Sequence, residues 1–517
     1  MVLECINSAV DFVWGPFLLI PLLLLAGAFF MVRIRFLPFR RLRYAFALMW
    51  KGRKHSDEHE GELSPFNALM TSMAATVGTG NIVGVASAIM VGGPGAVFWM
   101  WMTALVGMAT KYCEALLAVK YREVTPDGSY VGGPMYYIRK GLGENWAWLA
   151  FLFAVFGAVA SFGIGNMTQA NSITDSVSEV VSSLIASGSG VTPESFAATK
   201  EMVSLVTAGV LFLTCGAVLV GGVRRIGMVA GMLVPFMALF YICVGIVALV
   251  WNVDKVPAAV AMIFTEAFSV TSAAGGAFGV AIIVTIQSGV ARGLFSNEAG
   301  LGSAPIAHAT AITDSPVRQG FLGMLDPFLD TIVICSITAL VILVTNHWYY
   351  VDPVTGRTLL DPITGKAILG SIPFEKLSPE LLASLSPESL QALKAQGPLS
   401  KALLTQRAFG TAIPGGIGTY VVAIGQILFA FSTILGWCVY GERCTIYLLG
   451  HRAAKAFRIL FTVVVPFGAL ARLDLVWALA DLFNGLMALP NLVALLLLSP
   501  VVVRMTGEYF KDPANKL

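Results

Sequence analysis

Glycine and polar residues interrupt an apolar stretch near residue 78 in a pattern suited to binding a charged ligand. The run SMAATVGTGNIVGVASA at 72–88 places Gly78, Thr79 and Gly80 at its centre. An unwound helix there would present N–H groups at the start of one half-helix and C=O groups at the end of the other. The N–H groups attract a carboxylate and the C=O groups attract a cation. Close helix packing through small residues is the alternative, which explains the glycines but not the polar run TVGTGN.

Two adjacent hydroxyl residues, Ser432 and Thr433, lie in the apolar run FAFSTILGW. A hydroxyl inside an apolar helix usually donates to the carbonyl four residues earlier, which is the simpler interpretation. Hydroxyl and carbonyl oxygens are also the ligands that hard cations prefer over His or Cys. The pair is therefore a candidate for part of a cation site.

Two carboxylates in an apolar segment are further candidates. Asp326 and Asp330 in GMLDPFLDTIV are four residues apart and share one helix face. Charged groups at membrane depth are costly and often mark ion or proton pathways. The pair predicts a second ion site, with Asn81 and Asp330 as ligand candidates, a proton site, or an inner gate in which Asp326 pairs with Arg292. A solvated or helix-capping Asp326 near the membrane surface is the open alternative.

Three amide side chains, Asn166, Gln169 and Asn171, lie close together in another apolar segment. Amides are costly in lipid unless they are paired. They therefore either line a polar pocket, with Gln169 as the favoured member and Asn166 beside it, or form hydrogen bonds between helices. Phe278 is a candidate wall of the pocket, and plain packing is its alternative.

The elements that position these residues are membrane-spanning helices. Of 517 residues, 57% are hydrophobic and 12% are charged, whereas a soluble domain carries about 25% charged residues. So few charges do not cover the surface of a water-soluble globule. The first apolar run is followed by a cluster of arginines, at 33–43, which favours a retained span over a cleaved signal peptide.

An all-α fold with eleven spans is predicted, because a span needs about 20 mostly apolar residues. The spans lie at about 12–36, 65–91, 95–120, 147–172, 203–222, 228–251, 256–293, 321–346, 416–439, 456–471 and 475–505. Most of the 33 Lys and Arg residues fall in loops on one side, at 33–64, 120–146, 223–227, 292–320, 440–455 and the C-terminal tail. This asymmetry predicts a multi-pass protein of the cell membrane with its N-terminus outside and its C-terminus in the cytoplasm. The five His residues are expected at or beyond the membrane surface.

The order of the spans predicts an inverted repeat. Residues 1–64 would contribute an extra helix, residues 65–252 a first unit of five spans, and residues 253–517 a second unit. The run TSAAGGAFG at 271–279 interrupts the first helix of the second unit, as 72–88 does in the first. Paired broken helices with a binding site at mid-membrane are typical of inverted-repeat transporters. In the alternative arrangement, 276–293 alone is the span and 256–270 lies at the surface.

The long outer loop at 347–415 is predicted to fold. It contains the tandem runs DPVTGRTLL and DPITGKAIL, each of which indicates a turn and a short strand. Two short helices, each opened by Ser-Pro, are predicted to follow. The loop is interpreted either as a lid over an outer vestibule or as a structural insertion.

Several long runs in both units resemble the alanine/glycine:cation symporters, also called sodium:alanine symporters. They are NALMTSMAATVGTGNIVGVASAI, YVGGPMYYIRKGLG, GIGNMTQANS, GVARGLFSNEAGLGSAPIAHA, FSTILGWCVYGERC and NGLMALPNLVALLLLS. The resemblance implies a leucine-transporter-like five-plus-five fold with one extra N-terminal helix. It also implies sodium-coupled uptake of alanine or glycine. The loop at 347–415 is longer than this family needs.

The resemblance also implies which residues carry transport. In that fold the hydroxyl pair Ser432 and Thr433 would join carbonyls of the first broken helix, near Ala74 and Val77, around a sodium ion. The substrate carboxylate would meet the backbone at 78–80, as the helix-terminus argument also predicts. By the same helix-terminus argument, the substrate ammonium is predicted to meet carbonyls freed at the second break, around Ala274, Gly275 and Gly276.

Other classes of protein fit the sequence less well. It contains no G-x-x-x-x-G-K-[ST], G-x-S-x-G or H-E-x-x-H motif, which argues against an ATP-driven pump and an intramembrane enzyme. A proton-coupled symporter of the same fold is the principal alternative, and a channel is a weaker one. The expected partners are a small neutral amino acid, Na⁺ and membrane lipid, with no organic cofactor and no nucleic acid.

Overall fold

The computed structural model describes most of the chain. The described residues are 2–15, 17–53, 60–186, 193–268, 278–350, 377–396, 401–471 and 474–512, with residue 515 and single positions between 352 and 374. The described part is mostly helical, as the hydrophobic pattern predicts.

The described residues of the first half of the chain form twelve α-helices. They are α1 (Val2–Val13), α2 (Leu19–Arg33), α3 (Leu37–Arg40), α4 (Leu42–Lys51), α5 (Pro65–Thr76), α6 (Val83–Gly92), α7 (Gly95–Lys120), α8 (Pro134–Tyr137), α9 (Ala147–Phe162), α10 (Thr168–Ala186), α11 (Pro193–Leu219) and α12 (Gly222–Trp251). A π-helical segment, Gly163–Met167, joins α9 to α10. Two short antiparallel strands, β1 (Glu123–Val124) and β2 (Tyr130–Val131), follow α7.

The described residues of the second half of the chain also form twelve α-helices. They are α13 (Val256–Glu266), α14 (Phe278–Asn297), α15 (Ala304–His308), α16 (Pro316–Gly323), α17 (Leu325–Pro327), α18 (Ser336–Thr345), α19 (Pro379–Ser384), α20 (Pro387–Gln396), α21 (Lys401–Ala412), α22 (Ile417–Leu449), α23 (Ala453–Leu470) and α24 (Asp474–Tyr509). A π-helical segment, Phe328–Cys335, joins α17 to α18.

Nine of the eleven predicted spans correspond to elements of the described chain. Eight continuous helical stretches there are long and apolar enough to cross a membrane, and α5 with α6 forms one more, bent by 60°. The predicted spans 12–36 and 256–293 are not confirmed, since neither matches one of these elements, and the apolar helices α2 and α13 within them are shorter than a span. The count of eleven therefore remains a prediction.

Helix α7 lies at the centre of the bundle and packs against α2, α14 and α16. Glycines allow the close approach. A Cβ atom at Gly107 would lie 2.8 Å from the Cβ of Ala299 on the far side of the contact. We call the end of the bundle where α7 begins the Gly95 face and the end where it finishes the Lys120 face.

Helix α13 lies at the Gly95 face rather than in the middle of the bundle. Trp99 of the first turns of α7 donates to the Ala267 carbonyl at 3.0 Å. A Cβ atom at Gly95 would lie 2.3 Å from the carbonyl oxygen of Glu266. This placement fits the alternative in which 256–270 lies at the membrane surface and α14 enters the bundle.

The loop at 347–415 folds around its own small core. Backbone hydrogen bonds join Tyr350, Leu359 and Ile368 in a closed ring, N–H to C=O. Leu359 and Ile368 are equivalent positions of the two nine-residue runs, and Tyr350 precedes the first run. The two predicted Ser-Pro helices are present as α19 and α20. Their N-caps are side-chain hydroxyls: Ser378 accepts from the Leu381 N–H, and Ser386 accepts from the Ser389 N–H.

Candidate substrate and cation site

The first break lies between α5 and α6. Helix α5 starts firmly, because Ser64 caps it by accepting from the Asn67 N–H and Pro65 occupies its first position. The chain then leaves the helix at residues 77–78, makes one 3₁₀ turn over Thr79–Asn81 and re-enters a helix at Val83. The backbone of Gly78 is extended there. Thr79 is half-buried, whereas Gly78 and Gly80 on either side of it are buried.

Ser432 and Thr433 of α22 lie directly against this break. The Ser432 Oγ atom lies 3.2 Å from the Ala74 carbonyl oxygen and 3.4 Å from that of Val77. A Cβ atom at Gly78 would lie 2.5 Å from Thr433 Oγ1. Both hydroxyls also donate to the Phe429 carbonyl of their own helix, at 2.8 and 2.9 Å. The structure thus brings the hydroxyl residues of α22 to the oxygen-bearing break in α5. It also shows the hydrogen bonds within α22 that the simpler interpretation predicts.

The close approach of α22 to α5 depends on one further glycine. A Cβ atom at Gly436 would lie 2.8 Å from the Cβ of Ala75 and 2.7 Å from its backbone nitrogen. With a larger residue at 436 the two helices would have to separate, and the hydroxyls would move away from the α5 carbonyls.

A second break, over residues 298–303, faces the first. It separates α14 from α15, and Glu298, Gly300 and Gly302 have φ values of 52°, 89° and 86°. A Cβ atom at Gly80 would lie 3.3 Å from the Cα of Ser296, at the end of α14. Positive φ at 300 and 302 favours glycine, as found.

The predicted second break at 271–279, with Ala274, Gly275 and Gly276, lies outside the described residues except at its end. Phe278 is the first residue of α14. The segment 292–320 was predicted to be a loop on the inner side, and its first half is buried, as Asn297, Glu298 and His308 show. Asn297 and Glu298 form hydrogen bonds inside the protein, so this polar segment packs within the bundle. His308, expected near the surface, lies 2.7 Å (Nδ1) from Gln319 Nε2.

Asp330 connects the two breaks. Its carboxylate accepts from Asn81 Nδ2 at 2.6 Å, from Ser296 Oγ at 2.8 Å and from Thr331 Oγ1 at 2.7 Å. The Oδ1 atom of Asn81 in turn accepts from the Gly78 N–H at 2.8 Å. The predicted partners Asn81 and Asp330 are therefore in direct contact.

Asp326 holds α5 to α7. It forms a fully buried ion pair with Lys111, Nζ to Oδ2 at 3.0 Å, and accepts from Ser72 and Thr76 at 2.7 Å each. The alternative of a solvated Asp326 is wrong, since the residue has no exposed surface. The suggested partner Arg292 instead lies over the ring of Phe295.

The amide side chains of Asn166 and Gln169 form hydrogen bonds with residues outside the two breaks. Asn166 donates to the Phe461 carbonyl of α23 at 2.7 Å, a bond between helices. Gln169 donates to the Ile164 carbonyl at 3.0 Å, across the π-helical segment. The carbonyl oxygens of both side chains are buried and have no hydrogen-bond partner within the described structure.

Both broken helices are fastened together at the Lys120 face. Arg122 donates to the carbonyl of Ala311 at 2.6 Å and to that of Glu60 at 3.0 Å. The Ile312 N–H donates to the Leu63 carbonyl at 2.7 Å, and Glu62 forms a buried ion pair with Arg443 of α22 at 2.8 Å. The start of α5 and the segment after α15 are therefore held to one another and to α22.

Sequence reasoning missed several buried polar residues that hold the breaks. They are Lys111, Glu114 and Glu298. A signal was available for the first two, because Lys111 and Glu114 lie inside the predicted span 95–120 and charged residues at that depth need a partner. Glu298 was missed because the sequence pattern assigned residues 292–320 to a loop.

Comparison with known proteins shows which family the chain resembles over its length. The profile described as the sodium:alanine symporter family matches residues 1–375 and 385–516. The chain is 44% identical to the sodium/alanine symporter AgcS of Methanococcus maripaludis over 514 residues, covering 99% of this chain and 98% of that protein.

The chain belongs to the sodium:alanine symporter family. It is a multi-pass membrane protein and a secondary transporter. Another family member, the probable sodium/glutamine symporter GlnT of Bacillus subtilis, is 35% identical over 98% of this chain and 90% of its own length. The crystal structure of MhsT in complex with L-phenylalanine overlays with a TM-score of 0.49 at 11% identity, covering 86% of this chain and 98% of that one, which is too distant to support an argument about the site.

The buried ion pair in this symporter yields a prediction about stability. Lys111→Met leaves the Asp326 carboxylate buried without its cation, which should cost about 3–5 kcal/mol. Adding Asp326→Asn removes the stranded charge, so the double variant should be more stable than Lys111→Met alone. The measurement is the thermal unfolding midpoint of the protein in detergent.

An exposed pair provides the control. Asp314→Asn removes the partner of Arg318, a pair whose side chains are 42% and 45% exposed, and should change stability by less than about 1 kcal/mol. Equal destabilisation by Lys111→Met and Asp314→Asn would show that the Lys111–Asp326 pair does not hold the site.

Proposed function

We propose that the protein is a sodium-coupled symporter that takes up a small neutral amino acid, alanine or glycine, by alternating access. The observation that carries the proposal is the contact of Ser432 with the carbonyls of Ala74 and Val77 at the first break, where the Thr433 hydroxyl lies against Gly78. Membership of the sodium:alanine symporter family and the similarity to AgcS support the choice of ion and substrate.

The proposed sodium site consists of the carbonyl oxygens of Ala74 and Val77 and the hydroxyl oxygens of Ser432 and Thr433. Such oxygens suit a hard cation. A cation bound there would join α5 to α22 across the break. Because it interacts with both elements, its binding would favour the conformation in which they are together, and this couples sodium to the state of the substrate site.

The substrate is proposed to lie between the two breaks. Its carboxylate would meet the backbone at Gly78, Thr79 and Gly80, where Thr79 is the half-buried member. Its ammonium would meet backbone carbonyls of the second unit, with Ala274, Gly275 and Gly276 as candidates. Gln169, Asn166 and Phe278 remain candidates for the rest of the pocket, although the described bonds of Asn166 run to α23.

Asn81 and Asp330 are proposed to bind a second ion. In their contact the Nδ2 atom of Asn81 donates to the Asp330 carboxylate, while the amide oxygen of Asn81 accepts from the Gly78 N–H, so both groups lie at the junction of the breaks. The charge of Asp330 has three hydrogen-bond donors but no cationic side chain within the described part forms an ion pair with it. A bound cation would supply the opposite charge.

The proposed topology is a leucine-transporter-like inverted repeat of eleven helices, with the N-terminus outside and the C-terminus in the cytoplasm. The Lys120 face is then the cytoplasmic side. Proton coupling in place of sodium is the second candidate, favoured by the buried carboxylates near the breaks. A channel is the weakest candidate.

Reconstituted protein tests the proposed function directly. Vesicles with an inward sodium gradient should accumulate labelled alanine above the external concentration, and the gradient should be required. Unlabelled glycine should compete, whereas arginine and glutamate should not, since Gly78, Thr79 and Gly80 offer no opposite charge. Equilibration without accumulation would indicate a channel, and equal competition by arginine would contradict a neutral pocket.

The sodium site makes a sharper prediction. Ser432→Ala or Thr433→Ala removes one oxygen ligand, so the sodium concentration for half-maximal alanine uptake should rise several-fold. High sodium should restore the apparent affinity for alanine at least in part, because the two ligands are linked. The competition series among amino acids should stay the same, as these hydroxyls are assigned to the ion.

Thr214→Ala serves as the matched control. Its hydroxyl donates to the Val210 carbonyl of its own helix at 2.8 Å and lies on α11, which is not one of the broken helices. The sodium midpoint should be unchanged in this variant. If Ser432→Ala and Thr433→Ala both behaved like Thr214→Ala, the two hydroxyls would be packing groups only.

A further inference from the structure

A carboxyl group outside the proposed sodium and substrate sites has an unusual environment. Glu114 lies on α7 and is fully buried. Its Oε1 atom accepts from Asn491 Nδ2 at 2.6 Å and from the Gly302 N–H at 3.2 Å. Its Oε2 atom is buried and has no hydrogen-bond partner in the described structure. One oxygen of the carboxyl group thus accepts two hydrogen bonds, while the other accepts none in the described structure.

Among the described residues, no cationic side chain forms an ion pair with Glu114. Lys111, the basic group that interacts with it, lies one turn earlier on α7 and forms its ion pair with Asp326 instead. The other titratable groups that interact with Glu114 are Cys113 on α7, Tyr137 on α8 and Tyr440 on α22. None of these three carries a positive charge.

An ionised Glu114 would therefore expose a bare oxygen in a buried site. An unpaired buried charge is far more costly than a neutral group, and a proton on Oε2 removes that charge. The proton adds one O–H bond to the carboxyl group and needs no other reactant. Its release regenerates the carboxylate and transfers H⁺ to water.

The same carboxyl group holds the second break. Besides the bond from Gly302, Asn491 donates to the Gly300 carbonyl at 2.9 Å, and its Oδ1 atom accepts from the Tyr137 hydroxyl. Gly300 and Gly302 are the two positive-φ glycines of that break. A change in the charge of Glu114 would act on both of them through Asn491 and the Gly302 N–H.

We propose that Glu114 is a proton-binding site, loaded and unloaded once in each transport cycle, through which protons are coupled to movement of the second break. This inference rests on the proposed transport function and adds a ligand to it. Glu114 touches neither the hydroxyl pair nor the carbonyls assigned to sodium. In the structure shown, Glu114 carries the proton on Oε2. Release of this proton accompanies a rearrangement of residues 300–302 that admits water.

Proton movement in vesicles tests the inference. Vesicles enclosing a pH-sensitive dye, in weak buffer and with the membrane potential clamped by potassium and valinomycin, receive alanine under a constant sodium gradient. Wild-type protein should change the internal pH in step with alanine uptake, and Glu114→Gln should abolish the change. Glu114→Asp keeps a titratable group and should retain it.

Glu144→Gln is the matched control, because the same chemical change is made at a carboxylate that is 82% exposed near the Lys120 face. It should move protons like the wild type. The pH dependence of alanine uptake gives a second measurement, which should be flattened by Glu114→Gln and not by Glu144→Gln. An effect of Glu114→Gln on folding alone would lower the rate equally at every pH.

The outcomes separate the two proposals. Alanine accumulation by the wild type without any change of internal pH would overturn the proton site and leave sodium symport standing. Proton movement that persists in an active Glu114→Gln variant would also overturn it. Should Glu114→Gln fail to fold, the absence of a pH change with the wild type would still overturn the proton site. Failure of the wild type to accumulate alanine would overturn the proposed function and this inference with it.

Discussion

Lipid cannot hydrogen-bond the backbone groups that a broken helix exposes, and this constraint governs the structure around the site. At two places, 77–82 and 298–303, the chain leaves helical geometry inside the bundle. Non-helical backbone is tolerated at membrane depth only where protein or an aqueous cavity supplies partners. The side chains of Asn81, Glu114 and Asn491 supply many of them, by bonding to the backbone of Gly78, Gly300 and Gly302.

These partners are anchored on helices that surround the breaks. Asp330 fixes Asn81 and Ser296, so one carboxylate positions an element from each unit. Asp326 does the same for α5 and α7 through Thr76 and Lys111. Buried carboxylates thus take part both in holding the fold and in the proposed ion chemistry. Such groups are poorly suited to pure stabilisation, because apolar residues of equal volume often serve as well, which favours a functional role for them.

Alternating access requires that some of these ties break while others last. The ties at the Lys120 face, Glu62 to Arg443 and Arg122 to the Ala311 carbonyl, join the ends of the broken helices to α22 and to α7. At the other end, Thr405 of α21 donates to the Ile82 carbonyl at 3.1 Å, so the long loop reaches the first break. That contact is consistent with the interpretation of the loop as a lid.

Local features of the site were predictable from the sequence where a pattern was unambiguous. The run TVGTGN, which is unusual in an apolar helix, correctly predicted the first break. Asn81 and Asp330, both named as candidates for a second ion, lie in direct contact. The predicted break at TSAAGGAFG lies mostly outside the described residues and stays a prediction, whereas the break at NEAGLGS, at 297–303, was not predicted. Its charged residue resembled a loop signal, since sequence alone does not reveal that Trp437 and Ser303 bond to Glu298. Long-range pairs such as Lys111 with Asp326 also depend on tertiary contact, which periodicity does not report.

Hydrogen exchange tests the central claim, that a cation joins α5 to α22 at the first break. Backbone amides of 77–82 should exchange more slowly in sodium than in choline, because an ion that binds only the closed arrangement stabilises it. The protection should appear without amino acid present and should be reduced in Ser432→Ala. Identical exchange of these amides in sodium and in choline would contradict the account.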